Sequence, residues 1–81
     1  MKIRLLLFAH IKDIVGASEL QLEFEGACTG NDIVDRLERR HPAIASQRQH
    51  LKISIDGEYA KLSDAIPHGS EVALLPPVSG G

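Results

Sequence analysis

The sequence predicts an α+β domain, a mixed sheet of four to five strands packed on one main helix, and three observations carry that prediction. Short apolar–polar alternations recur along the chain, which is the mark of half-buried strands. Only one longer stretch, 31–40, carries an apolar stripe at helical spacing. The last strand-like run, Val72-Ala73-Leu74-Leu75, then passes without a spacer into Pro76-Pro77-Val78-Ser79-Gly80-Gly81. With strand, strand, helix, strand, short strand and strand in order, one sheet covered by a single helix is the economical way to bury the inward residues. No internal repeat or low-complexity linker divides the 81 residues. Residues 1–75 read as one domain and 76–81 as an extended tail.

Lys2 to Ala9 alternates as a strand, with Ile3, Leu5 and Leu7 on one face and Arg4, Leu6 and Phe8 on the other. Both faces carry apolar groups, so this strand is expected inside the sheet or with one apolar face turned to a partner. His10 to Gly16 places Ile11, Ile14 and Val15 at helical spacing and closes on glycine, predicting a short helical turn with a C-terminal glycine cap. Glu19 to Glu25 gives the cleanest alternation, Leu20, Leu22 and Phe24 inward, and is expected to pair with the first strand.

Gly26 to Gly30 reads as loop. Thr29, three residues before Asp32, is a capping-box signal for the main helix, with Asn31 as the rival cap. Ile33, Val34 and Leu37 form its buried stripe, and Asp35, Arg36, Glu38, Arg39 and Arg40 its solvated face. Pro42 disfavours helical geometry in the residue before it, which ends the helix at or before His41. A second short turn is expected over Pro42–Arg48, with Pro42 at its first position and Ile44 as anchor. Lys52 to Ile55 alternates again, and Asp56-Gly57 turns it into a short edge strand at Glu58-Tyr59-Ala60. Leu62 to Ile66 is too short to classify. Pro67-His68-Gly69-Ser70 is a turn, and Glu71 to Leu75 is the final strand, with Val72 and Leu74 inward.

Composition excludes several classes. Nine basic against eleven acidic residues give no basic face dense enough to replace phosphate counterions, so no nucleic-acid partner is expected. No stretch approaches the roughly 20 apolar residues of a membrane span, and the first residues make no signal peptide, which points to a cytoplasmic protein without a membrane partner. The single cysteine, Cys28, fits a reducing compartment and lacks an activating neighbour. His10, His41, His50 and His68 share no metal-ligand spacing, so no metal site is expected. There is no phosphate loop, and any ATP chemistry belongs to another protein.

The tail carries the chemistry. Pro76-Pro77 stops the strand and projects a stiff arm, since proline fixes φ and offers no N–H. Val78 and Ser79 are small, and Gly80-Gly81 have no side chain, so this end fits a channel that rejects any β-carbon. At average glycine usage two terminal glycines arise by chance in roughly one chain in two hundred, which makes a frayed end the weaker explanation. The Gly81 carboxylate, with a reference pKa of about 3.5, is ionised and a poor electrophile. It needs activation, most simply as a mixed anhydride with AMP, by a separate enzyme.

Leu7-Phe8-Ala9 with Ile14-Val15-Gly16, and the block Gly69-Ser70-Glu71-Val72-Ala73-Leu74-Leu75-Pro76-Pro77-Val78-Ser79-Gly80-Gly81, resemble the small subunit of molybdopterin synthase, the MoaD family of ubiquitin-like sulfur carriers. The likeness spans the chain and is most specific in the terminal block. It departs at Ser70, Asp56 and Lys12, where the family has Asp, often Asn, and commonly Arg; lysine keeps the charge and loses the planar fork. The resemblance implies a β-grasp fold. It also implies that an E1-like, MoeB-like enzyme adenylates Gly81 with ATP and that a sulfurtransferase supplies the sulfur of a thiocarboxylate (1-thioglycine). A MoaE-like large subunit then takes Pro76, Pro77, Val78, Ser79 and Gly80 into its active site, in a heterotetramer of two small and two large subunits. There the sulfur passes to cyclic pyranopterin monophosphate and, after two transfers, builds the molybdopterin dithiolene. The chain itself binds no cofactor. Leu75, Phe8, Leu6 and Lys12 are the candidates for partner docking, with core packing the alternative for Leu6 and Phe8. Rival functions are a sulfur carrier for thiamine synthesis or tRNA thiolation, and a non-catalytic ubiquitin-like tag or docking module.

Overall fold

The computed structural model describes residues 1–75. The elements are β1 (Lys2–Leu7), α1 (Ala9–Val15), β2 (Glu19–Glu23), α2 (Gly30–Arg40), α3 (Ile44–Gln47), a 3₁₀ turn (Arg48–His50), β3 (Lys52–Ile55), β4 (Glu58–Ala60) and β5 (Glu71–Leu75). They build one five-stranded sheet in the order β2-β1-β5-β3-β4. The last strand to be made is thus the middle one. β5 runs parallel to β1, with Leu5 beside Val72 and Leu7 beside Leu74, and antiparallel to β3, with Ile53 beside Leu74.

Alternation decides the two faces. Ile3, Leu5, Leu7, Ile53, Val72 and Leu74 are all buried and meet Ile33, Val34 and Leu37 of α2 in one core. A fully buried Leu or Ile contributes about 1.5–3 kcal/mol, so these nine side chains, with Ile11 and Ile44, account for the bulk of the hydrophobic stabilisation. Cys28 and Ile66 belong to the same cluster, and Ile66 N–H donates to the Cys28 carbonyl at 2.9 Å.

The helix starts as the sequence predicts. Thr29 Oγ1 accepts from Asp32 N–H at 3.3 Å, and Asp32 Oδ2 accepts from Thr29 N–H at 2.8 Å, a reciprocal box. Asn31, the rival cap, lies inside the helix instead. Its end at Arg40, with His41 as cap, fits the restriction imposed by Pro42. The second turn differs in phase. Pro42 precedes the Ala43 cap rather than opening the helix, because the His41 and Pro42 carbonyls already accept from Ile44 and Ala45 N–H at 2.9 and 3.0 Å. Ile44 is fully buried, as an anchor must be. β1 stops at Leu7, short of the predicted Ala9, since Ala9 at φ 50° turns the chain into α1, and β2 stops at Glu23, short of the predicted Glu25.

α1 closes on Gly16 at φ 83°, whose N–H reaches the Lys12 carbonyl at 2.8 Å. Asp56 and Gly57, at φ 50° and 88°, form the tight turn between β3 and β4 that their residue types predict. The unclassified stretch after β4 is irregular; it pairs Ala65 with Thr29 in an isolated bridge and lays the Leu62 carbonyl against Asn31 N–H at 2.9 Å. Arg48 ties the excursion after α2 back to the helix, donating to Asp35 at 2.6 Å and to the Asn31 side-chain oxygen at 3.2 Å.

Candidate functional site: the outer sheet face and the strand that leads to the tail

The sheet face away from α2 is assembled by register. Leu6 lies beside Ala73, Ala73 beside Ser54, and Ser54 beside Tyr59, so one row crosses four strands. Tyr59 is 74% exposed and Phe8 43% exposed, the two large apolar groups the fold leaves most open to water. Leu75 pairs with Lys52 at the end of β5, and the parallel β1–β5 register, carried on by one residue, sets Phe8 at the same level. The chain leaves the described residues here, directly from the middle strand.

Leu6, Phe8 and Lys12 line one shallow depression together with Ser18 and Glu19. These three docking candidates are therefore neighbours, and Leu75 stands on the adjacent strand. Core packing is excluded for Phe8, while Leu6 is half-buried between its strand neighbours. Below the apolar row runs a charged one. Arg4 donates to Glu19 on β2 and, at 3.0 Å, to Glu71 on β5, joining three strands. The hydrogen bond that Arg4 donates to Glu19, and then the Glu19 charge, raise the Arg4 pKa. Tyr59, Ala73 and Arg4 were not singled out by the sequence; an exposed aromatic on a three-residue edge strand, and a cation alternating with Leu6, are the signals that carry them.

Ser70 positions the start of β5. Its hydroxyl donates to the Pro67 carbonyl at 2.6 Å and it is buried, with Gly69 at φ 79° completing the turn. Asp56 adds a second clamp, its carboxylate accepting from Glu71 N–H at 2.9 Å and its own N–H donating to the Glu71 carbonyl at 2.8 Å. Serine and aspartate at these positions thus have structural duties beneath the tail strand.

Cys28 is 3% exposed. Burial, and then the Asp32 charge, push its thiol pKa up, the reverse of what a nucleophilic cysteine needs. Among the described residues no three His, Cys, Asp or Glu side chains converge as a metal site, and no helix is long and apolar enough to cross a membrane. Pro76, Pro77, Val78, Ser79, Gly80 and Gly81 lie outside the described residues.

A mixed sheet that grips one main helix, with its middle strand leading to the C-terminal segment, defines a ubiquitin-like β-grasp protein. Comparison with known proteins narrows this class: the chain belongs to the ThiS family, whose model matches residues 5–81. It is 35% identical to small archaeal modifier protein 1 of Haloferax volcanii, over 93% of this chain and 95% of that one. It is 30% identical to the molybdopterin synthase sulfur carrier subunit of Arabidopsis thaliana, over 100% of this chain and 84% of that one. The crystal structure of the Haloferax volcanii protein superposes with a TM-score of 0.82 at 32% identity, covering 100% of both chains.

Proposed function

We propose that this chain is the sulfur-carrier small subunit of molybdopterin synthase. One observation carries the reading: a relationship that spans the whole of this chain to a protein named as that subunit, in a chain whose middle strand runs straight into Pro-Pro-Val-Ser-Gly-Gly. In this reading an E1-like, MoeB-like enzyme joins the Gly81 carboxylate to AMP, releasing pyrophosphate. A sulfurtransferase then supplies a persulfide sulfur that attacks the acyl carbon and displaces AMP, and a second thiol reduces the resulting acyl disulfide, releasing the thiocarboxylate. The thiocarboxylate is a stronger nucleophile than the carboxylate, and a tail held in a channel keeps it against its acceptor, cyclic pyranopterin monophosphate. The acceptor pocket belongs to a MoaE-like large subunit. Phe8, Leu6 and Leu75 supply the apolar docking surface and Lys12 a cation at its border, an arrangement supported by their shared face.

The test is the intact mass of the chain after incubation with ATP, an activating enzyme and a sulfur donor, beside a copy lacking Gly81. Replacement of one oxygen by sulfur in the full chain alone supports the carrier. No change, with an activating enzyme that works on a known carrier, rejects it.

A second reading has its own support, the 35% identity to a protein named as a modifier. The same activated glycine can form an isopeptide bond with a lysine of another protein. Higher-mass adducts in cells that vanish on deletion of Gly81 distinguish a modifier from a carrier for molybdopterin, thiamine or tRNA thiolation.

A further inference from the structure

β2 is an outer strand of the sheet, and its ladder with β1 determines which of its backbone groups face away from the fold. Leu7 N–H donates to the Ser18 carbonyl and Phe24 N–H to the Met1 carbonyl, both at 2.9 Å. Leu20 and Leu22, in phase with Ser18 and Phe24, therefore bond to β1. In an antiparallel ladder the alternate residues turn their N–H and C=O the other way. Glu19, Gln21 and Glu23 thus present theirs outward, and the Glu23 carbonyl confirms the direction by accepting from Arg36 Nη1 at 3.1 Å.

Beside this edge a groove separates β2 from α2. Val15, Leu20 and Leu22 are only half-buried, unlike Ile3 and Leu5 one strand away, and with Leu37 they line the groove. Arg36 and Arg40, one helical turn apart on α2, line the same groove. Arg36 is occupied by Glu23 and by the Phe24 ring, 4.2 Å from its guanidinium carbon. Arg40 is exposed and makes no ion pair among the described residues.

We propose that this groove takes an extended peptide segment of a partner protein, which adds to the sheet along β2 with aliphatic side chains toward Leu20 and Leu22 and a carboxylate side chain on Arg40. Main-chain bonds to Glu19 and Gln21 supply affinity, and the alternate side chains supply selectivity. Charge argues against a second copy as occupant. Antiparallel pairing of two β2 strands about Gln21 sets Glu19 of each against Glu23 of the other, and like charges directly opposite are destabilising. The groove lies on the helix side of the sheet at one edge, whereas Leu75 ends the middle strand, so a segment held here leaves the tail strand uncovered.

The probe is a short N-acetylated peptide with valine at alternate positions, threonine between them and aspartate at both ends, titrated into the ¹⁵N-labelled full chain. Amide shifts confined to Ser18–Phe24 and Arg36–His41, with slowed exchange of Gln21 N–H, are expected. The same peptide N-methylated at the amides that face β2 should bind about tenfold or more weakly, since it loses the ladder bonds while keeping its side chains. Lysine in place of the terminal aspartates, or Arg40→Glu in the protein, should weaken binding severalfold. Shifts centred on Ala73 and Tyr59, no shifts at β2, or equal binding of the N-methylated peptide each overturn the proposal.

Discussion

Gly30 packs its bare Cα against the backbone of Leu62. A β-carbon built there would stand 2.9 Å from the Leu62 carbonyl oxygen and 2.9 Å from Ile53 Cδ1. The isoleucine tip can move; the carbonyl cannot, because it already accepts from Asn31 N–H at 2.9 Å. Gly30→Ala is therefore expected to destabilise by about 1–3 kcal/mol, the range for overpacking, despite alanine's better helix propensity. Urea unfolding measures this directly, and a neutral result removes the close approach as a constraint.

The capping box predicts a smaller effect. Thr29→Ala removes the acceptor for Asp32 N–H and is expected to cost about 1 kcal/mol. Thr29→Ser keeps the hydroxyl and should recover most of it. Thermal unfolding of the pair separates the cap from the side-chain methyl.

At the hairpin, Gly57→Ala places a β-carbon at φ 88° and should cost about 1 kcal/mol. Asp56→Asn retains both the tolerance for φ 50° and an oxygen that can accept from Glu71 N–H, so its effect on the unfolding midpoint should be small. Asp56→Ala loses both and should be the worst of the three if the side chain clamps β5.

Cys28 has a worked sign. Its thiol pKa is raised by burial in the folded chain, so the folded state holds that proton at pH values where the unfolded state releases it. The contribution to stability is present in full below the ordinary thiol pKa of about 8.5 and is lost as pH rises through the raised folded value. A stability-versus-pH profile of the wild type should fall relative to Cys28→Ala as the pH rises from about 8.5 toward the raised folded value, and run parallel to it beyond. Profiles parallel throughout would sink the idea. Alkylation of the native thiol should likewise be slow and become fast on unfolding.

On the proposed function, Gly81→Val should abolish sulfur transfer in a reconstituted synthase, whereas Ser79→Ala should leave most of it, because only the former crowds the acyl carbon. Phe8→Asp should weaken binding of the large subunit while leaving the urea midpoint nearly unchanged, as Phe8 is 43% exposed. Mass spectrometry and binding measurements read the two effects apart.

Much of this was legible in the sequence because it is local. The Thr29 box, the Asp56-Gly57 turn, the Gly16 cap and the Ile33, Val34, Leu37 stripe each depend on residues a few positions apart, and each forms as read. What was not legible is set by pairing across the chain. That β5 enters the sheet between β1 and β3, that Tyr59 joins a row with Leu6, and that Arg4 reaches Glu71 depend on register between distant strands. Gly30 read as the end of a loop because the reason for a glycine there is Leu62, more than thirty positions later. Of the candidate site, Leu6, Phe8 and Lys12 were named from alternation and resemblance and do share one depression. The tail lies outside the described residues.

The middle position of β5 has a mechanical meaning. A strand at the margin of a sheet can be peeled away one hydrogen bond at a time. β5 has ladders on both sides, from Glu71 to Leu74 with β1 and from Val72 to Leu75 with β3. A pull at its C-terminal end acts along the strand axis and strains both ladders in shear, so the bonds must yield together. Traction on the tail is thereby passed into a strand tethered along both of its edges.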